Sequence, residues 1–347
     1  MLIPKVAIVG PSGAVGKTLV QLLYERSFPF SEIRLCGSER SIGKKICVGD
    51  KSIKVENATP ELFKQVDIVF IAAGSEVSRS LTPIAVDSGA IVIDKSSEFR
   101  MNKDVPLVIP EVNGNDLNCH KGIISSPNCS TTPLAMTLKA LSCISPITRV
   151  VVDTYQSVSG SGLPAMEELR TQTNDVLSNG NVTPKVYPHQ IAFNALPHID
   201  DFHESGYTTE ELKMVYETRK ILHQPELSIS ATCVRIPVMV GHSEAVHIEF
   251  KSSVEVEHVR AVLSKSPGIS VVDDPKTRSY PLPIQVEGKD DIYVGRIRRD
   301  KSNARGLAMW LVSDNLRKGA SLNALQIAEE LLKKGMILNK KGENNYA

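Results

Sequence analysis

The chain lacks any apolar run approaching the ~20 residues that a helical membrane span requires, which excludes a membrane-embedded enzyme of that kind. It also lacks a charge excess. Forty Lys and Arg against 39 Asp and Glu leave a net charge of +1 over 347 residues. No basic face emerges from that balance, so nucleic acid is excluded as a partner. The six cysteines, at 36, 47, 119, 129, 143 and 233, form no C-x-x-C pair, and no His/Cys cluster has zinc-ligand spacing. No metal is expected, and free thiols fit a reducing cytoplasm. Internal repeats and low-complexity tracts are missing too. The opening MLIPKVAIVG has neither an arginine-rich leader nor a signal-peptide layout, and a cytoplasmic location is expected. The final KKGENNYA reads as a disordered tail.

What is present first is alternation. Apolar strands are expected at 4–9, 33–37, 67–73, 90–94, 107–110 and 122–126, with helical patterns after the first strand and at 77–88. Continuous apolar strands separated by helices predict a parallel sheet covered on both faces. After residue 127 the pattern changes. TRVVVDTYQSVS (148–159) is a longer strand. HSEAVHIEFKS (242–252) alternates, with Val246, Ile248 and Phe250 facing one way and His247, Glu249 and Lys251 the other, as an antiparallel strand with one buried face does. IYVGRIRRD and GLAMWLVSD read similarly, and helices are expected near 163–178, 208–222, 255–264 and 321–334. The length predicts two domains. Residues 1–127 form a Rossmann-like domain, to which a C-terminal helix within 315–336 returns, and 128–314 form an α+β domain with a mixed, largely antiparallel sheet.

GPSGAVGKT (10–18) follows the first strand and opens a helix. A P-loop reading matches Gly16, Lys17 and Thr18, but its leading glycine falls on Pro11, which has no N–H to offer a phosphate. The better reading is a dinucleotide turn. Gly10 makes the turn, Gly13 admits pyrophosphate to the backbone, and Gly16 lets helix and strand approach, with pyrophosphate on the helix N-terminus. The second strand ends in GSERSIGKK (37–45). Glu39 is a candidate for an NAD ribose, whereas Arg40, Ser41, Lys44 and Lys45 suit a 2′-phosphate. The loop is equally readable as a solvated charged turn, and the balance favours NADP.

SSPNCSTTP (125–133) places a thiol at a helix entrance. Thr132 is read as the cap and Pro133 as a first-turn residue, with Leu134, Leu138 and Leu141 lining one face. A free cysteine is ordinarily a small core hydrophobe. Yet a helix N-terminus stabilises thiolate, which gives the position a chemical use.

Taken in order, GPSGAVG, DKSSEFR (94–100), PEVN (110–113), SPNCSTTP (126–133), TYQSVSGSG (154–162), YETRKI (216–221), RIPVMVGHSE (235–244) and SDNLRKGAS (313–321) resemble the aspartate-semialdehyde dehydrogenase family across essentially the whole chain. The resemblance implies that Cys129 is the nucleophile, His242 the acid/base and Gln156 the residue that orients substrate. It implies that Arg235, seven residues before His242, clamps the substrate carboxylate, and that Glu217 takes the ammonium. Arg100, Lys220 and Asn128 are implied for phosphate. Glu217 and Lys220 alone would pass for a surface helix pair, and His242 alone for a loop histidine. Ser12, Ala14, Val15, Gly74, Ser159, Gly160 and Asn315 are implied as cofactor contacts beside the three glycines. Where the family commonly has Ala-Thr, this chain has Pro11-Ser12, which keeps a hydroxyl.

The implied activity is NADPH-dependent conversion of L-aspartyl 4-phosphate to aspartate 4-semialdehyde with release of phosphate, on the route to lysine, threonine and methionine, by a homodimer. The competing readings are a sister acyl-phosphate reductase such as N-acetylglutamyl-phosphate reductase, a P-loop nucleotidase, and a non-catalytic nucleotide-binding relative. The E-x-x-K-I helix and the Arg235–His242 spacing stand against the first of these. Retention of Cys129, Gln156, Arg235 and His242 together stands against the last.

Overall fold

The computed structural model describes residues 3–337; the KKGENNYA segment lies outside them. The chain divides into two compact units. One runs up to Pro127 and resumes at Ala320; the other is Asn128–Gly319. The returning segment therefore begins at Ala320, and Asn315 belongs to the second unit.

In the first unit, β1 (Lys5–Val9), β2 (Glu32–Cys36), β3 (Lys45–Val48), β4 (Lys51–Glu56), β5 (Ile68–Ile71), β6 (Ile91–Asp94) and β7 (Ile123–Ser125) form one sheet ordered β3-β4-β2-β1-β5-β6-β7. All pairings are parallel except the β3–β4 hairpin. The central strands are buried along their length because helices cover both faces: Ala14–Glu25 and Leu322–Lys333 pack with Ile8, Leu35 and Ile93 on one side, while Ala85, Phe63 and Val92 form the other layer. Ser321 Oγ donates to Val15 O at 2.8 Å and Asn323 Nδ2 to Val108 O at 2.9 Å, which seats the last helix. The strand expected at 107–110 is reduced to a single bridge, Leu107 to Ser125, because Pro110 starts a short helix instead.

In the second unit, β8 (Ile147–Gln156), β9 (Ser228–Arg235), β10 (His242–Phe250), β11 (Ile269–Val271), β12 (Ile292–Arg299) and β13 (Gly306–Ser313) form a sheet ordered β11-β12-β13-β10-β8-β9. The three central pairings are antiparallel, and the two outermost, β11–β12 and β8–β9, are parallel. The register sets Gln156 beside Arg235 and His242 beside Ser313, so these candidate site residues gather at strand ends. Helices Thr131–Leu141, Thr209–Leu222 and Val256–Lys265 are further elements of this unit. Thr208 caps the second of these with a capping box to Glu211.

Candidate active site

Cys129 sits in the turn that leads into helix Thr131–Leu141. The cap differs from the sequence expectation. Thr132 lies inside the first turn, where its hydroxyl donates to Asn128 O at 3.0 Å. Asn128 does the capping: its Oδ1 accepts from Ser130 N–H at 2.8 Å and Thr131 N–H at 3.4 Å. The remaining polar groups of Asn128 are held by two buried carboxylates. Its backbone N–H donates to Glu217 Oε2 at 2.7 Å and its Nδ2 to Glu210 Oε1 at 2.9 Å. Gly319 packs against the thiol residue so closely that a methyl group there would lie 2.9 Å from Cys129 Cβ.

His242, the first residue of β10, brings Nε2 to 3.3 Å from Cys129 Sγ. The ring is 1% exposed. Burial, followed by the nearby Arg235 charge, holds its pKa down to about 3 against an opposing pull from Glu210. The imidazole is therefore neutral near pH 7. Ser157 N–H donates to Nδ1 at 3.0 Å, so in that arrangement the ring proton sits on Nε2 and points at sulfur.

Arg235 ends β9 and is 4% exposed. Its Nη1 donates to Ser157 O at 2.7 Å, its guanidinium carbon lies 5.9 Å from the Tyr187 ring centroid, and its Nε has no hydrogen-bond partner among the described residues. A buried cation with an unused N–H is costly unless an anion arrives. Gly160 makes room for this pair: a Cβ there would lie 2.9 Å from Arg235 Nη1 and 3.2 Å from His242 Nε2. Gln156, which ends β8, donates through Nε2 to Glu210 Oε1 at 3.0 Å and accepts from Thr154 Oγ1 at 3.0 Å. The thiol, the imidazole, the guanidinium and the amide thus share one unit. Their chemistry suits a candidate nucleophile, a candidate proton carrier and a candidate anion clamp.

The first unit carries the dinucleotide features. Gly10 has φ +84°, and Gly16 approaches the turn so closely that a Cβ would lie 2.1 Å from Gly10 O. Gly13 caps helix Ala14–Glu25 with no side-chain bond, and the buried Ser12 Oγ has no partner among the described residues. A bare helix N-terminus beside an orphaned hydroxyl fits a pyrophosphate, with Ala14 and Val15 opening the helix. Gly74 caps helix Ser75–Asp87 in the same bare way. Arg40 is exposed in the loop after β2, and Ser41 Oγ turns inward to Ser38 O at 2.9 Å.

A semialdehyde dehydrogenase NAD-binding domain model matches residues 5–120, and a semialdehyde dehydrogenase dimerisation domain model matches 138–318. The chain belongs to the semialdehyde dehydrogenase family. An aspartate-semialdehyde dehydrogenase of Aquifex aeolicus is 50% identical over 338 residues, 96% of this chain and 99% of that one. The crystal structure of aspartate semialdehyde dehydrogenase II of Vibrio cholerae, complexed with ASA, matches with TM-score 0.92 and 42% identity over 96% of this chain and 99% of that one. The aspartate semialdehyde dehydrogenase of Candida albicans with NADP matches with TM-score 0.75 and 26% identity over 97% of this chain and all of that one.

Arg100 belongs to the first unit, where it is buried and donates through Nη2 to Lys95 O at 2.8 Å. Lys220 and Glu217 lie one turn apart on helix Thr209–Leu222, with Glu217 1% exposed, so the surface-pair reading fails for Glu217. Ser159 and Asn315 are buried and bonded to each other, Asn315 Nδ2 donating to Ser159 Oγ at 2.9 Å. Asn315 Oδ1 also accepts Gly241 N–H at 3.0 Å, so this side chain braces the turn before His242. Glu210 is the functional residue that sequence reasoning missed. Burial pushes its carboxyl up, but the Lys213 charge and the bonds from Gln156, Asn128 and Lys213 outweigh burial and hold it at about 2. Its only sequence signal was an acidic residue in a helix first turn, which ordinarily complements the helix dipole.

Proposed function

We propose that the protein catalyses the reaction its relatives are named for, reducing L-aspartyl 4-phosphate to aspartate 4-semialdehyde with NADPH and releasing phosphate. The observation that carries this reading is the 3.3 Å approach of Cys129 Sγ to His242 Nε2 beside the buried Arg235. Cys129 thiolate attacks the acyl carbon, the C–S bond forms, and the C–O bond to phosphate breaks, leaving a thioester. NADPH supplies hydride to the thioester carbon when bound. His242 gives a proton to the developing oxygen and recovers it as the C–S bond breaks and the aldehyde leaves. Arg235 clamps the substrate carboxylate, Glu217 faces its ammonium, and Arg100 and Lys220 serve phosphate. Asn128 fixes the helix entrance through its cap, and Gln156 orients the acyl group.

NADP is favoured over NAD by Arg40, Ser41 and the lysines at 44 and 45 beyond β2. The same cofactor is named with the Candida albicans relative. A homodimer through the second unit is supported by the half-buried sheet face that carries Tyr155 and Trp310, whose rings pack at 5.3 Å. A cytoplasmic setting agrees with the absence, among the described residues, of a helix long and apolar enough to cross a membrane.

The test is the phosphate-dependent oxidation of aspartate semialdehyde and of N-acetylglutamate semialdehyde, each with NADP and with NAD. Turnover of the first aldehyde with NADP, and its loss by roughly 10³-fold or more in Cys129→Ala, is the expected result. Preference for N-acetylglutamate semialdehyde would replace the substrate, and full activity in Cys129→Ala would end the mechanism. Sedimentation of the purified protein at the mass of two chains checks the dimer.

A further inference from the structure

Ser157 meets the far nitrogen of His242 twice. Its backbone N–H lies 3.0 Å from Nδ1, and its hydroxyl oxygen lies 3.0 Å from the same atom. The side chain is fully buried. The hydroxyl is also 3.1 Å from Ser159 Oγ and 3.1 Å from Asn315 Oδ1. Because Gly241 N–H fixes the oxygen end of Asn315, the Ser157 hydroxyl has an acceptor for its own proton that is not the imidazole. Its lone pairs are then free to accept from Nδ1.

The two contacts have opposite polarity. The backbone N–H can only donate, so it supports the ring when Nδ1 is bare and the proton is on Nε2. The hydroxyl can accept, so it supports the ring when Nδ1 carries a proton. A histidine that delivers a proton from Nε2 must hold one on Nδ1 as well, or be left anionic; after delivery it is the Nδ1–H tautomer. The same tautomer presents a bare Nε2 that can take the Cys129 proton. With only the N–H of residue 157 behind it, the ring would be locked in the Nε2–H form.

We propose that Ser157 is a positioning residue whose hydroxyl can accept a hydrogen bond from His242 Nδ1, so that the Nδ1–H tautomer is populated beside the Nε2–H one and the ring can take the Cys129 proton at bare Nε2 and pass it on from there, its Nδ1 proton staying in place. The charged or titratable groups that face the ring are Cys129 from the helix entrance, Arg235 from β9 and Glu210 from the helix Thr209–Leu222. Among the described residues, the hydrogen bonds at Nδ1 are both with Ser157, and its hydroxyl is the one that can accept. The proposal rests on the catalytic reading above for its purpose, but the tautomer itself is measurable without substrate.

The experiment is ¹⁵N NMR of the protein labelled at its histidine rings, with His242→Gln assigning the resonances of His242 among the eight histidines. It is combined with steady-state kinetics of Ser157→Ala and Ser157→Thr. In the parent, the His242 shifts are expected at values intermediate between the two neutral tautomers. In Ser157→Ala they should move to those of pure Nε2–H, with kcat falling roughly 10- to 100-fold and KM for aspartate semialdehyde held within about twofold. Ser157→Thr, which keeps the hydroxyl, should restore both. Parental shifts in Ser157→Ala, or a parent ring already wholly Nε2–H, would overturn the proposal, even if Ser157→Ala lost activity. If Ser157→Ala fails to fold, the parent spectrum and the threonine variant still decide. If the parent lacks aldehyde activity altogether, the catalytic reading falls while the tautomer result stands.

Discussion

The side-chain amide of Gln156 donates to the carboxylate of Glu210 at 3.0 Å across 54 residues of sequence. The oxygen it meets, Oε1, also takes Asn128 Nδ2 at 2.9 Å, and Oε2 takes Lys213 Nζ at 3.1 Å. One buried anion thus orients the amides of two residues that border the thiol site. Glu210→Gln keeps the shape but sets an NH₂ group against at least one of three donors. Lys213 retains Asp200 at 2.5 Å, so the penalty is that of one unsatisfied buried group, about 2–3 kcal/mol in urea unfolding. Loosened amides should also lower kcat/KM by roughly 10- to 100-fold. Unchanged kinetics at reduced stability would confine Glu210 to folding.

His242 should make the protein acid-sensitive. Its pKa is about 3 in the fold against 6.5 in a free side chain. Between those values the unfolded chain binds a proton that the folded chain does not, so stability rises with pH across the window and is lost as pH falls through it. The contribution approaches about 1.4 kcal/mol per pH unit. His242→Asn should flatten the plot of unfolding free energy against pH between pH 4 and 6. A parallel plot with the same slope would contradict the buried neutral ring.

Glu244 should act in the opposite sense. It lies on β10 and is 1% exposed, and neither carboxyl oxygen has a hydrogen-bond partner among the described residues. Burial holds its carboxyl well above the ordinary 4.5. The folded chain keeps a proton that the unfolded chain releases, so the stability it contributes is full below about pH 4.5 and declines as pH rises toward the folded value. Glu244→Gln, permanently neutral, should match the parent at pH 4 and exceed it in urea midpoint at pH 8. An equal difference at both pH values would point to packing instead of ionisation.

Much of this was legible in the chain. The period-two pattern of 242–252 gave β10, and the apolar strands gave the parallel sheet, because each pattern reports burial directly. β9 escaped notice: SISATCVR buries few large apolar residues, yet it carries Arg235. The β3–β4 hairpin was hidden by its lysines, which read as a solvated loop. Asn128 took the cap from Thr132 because Glu210 and Glu217, remote in sequence, hold Asn128 in place. Ser157 has no local signature and Glu210 only a generic one, since the partners that tie them to the site, His242 for the first and Gln156 and Asn128 for the second, lie 54 or more residues away.

Gly13 and Gly16 should fail differently, which separates cofactor approach from packing. Alanine at 16 would put Cβ 2.1 Å from Gly10 O and 2.7 Å from Pro11 Cα, both backbone atoms that cannot rotate away. The helix must shift off the strand, so Gly16→Ala should lose about 1–3 kcal/mol and several degrees of melting temperature along with NADP binding. Alanine at 13 meets only Gly10 O at 3.7 Å, an ordinary contact, and the φ of −74° suits it. Gly13→Ala should therefore melt like the parent without ligand. Its new methyl group would stand where pyrophosphate approaches the helix N-terminus, so the rise in melting temperature on adding NADP should shrink or vanish. Melting curves of both variants, with and without NADP, check the pair. A full NADP-induced shift in Gly13→Ala would remove Gly13 from the phosphate site, and a parental melting point in Gly16→Ala would show that the close approach is relieved at no cost.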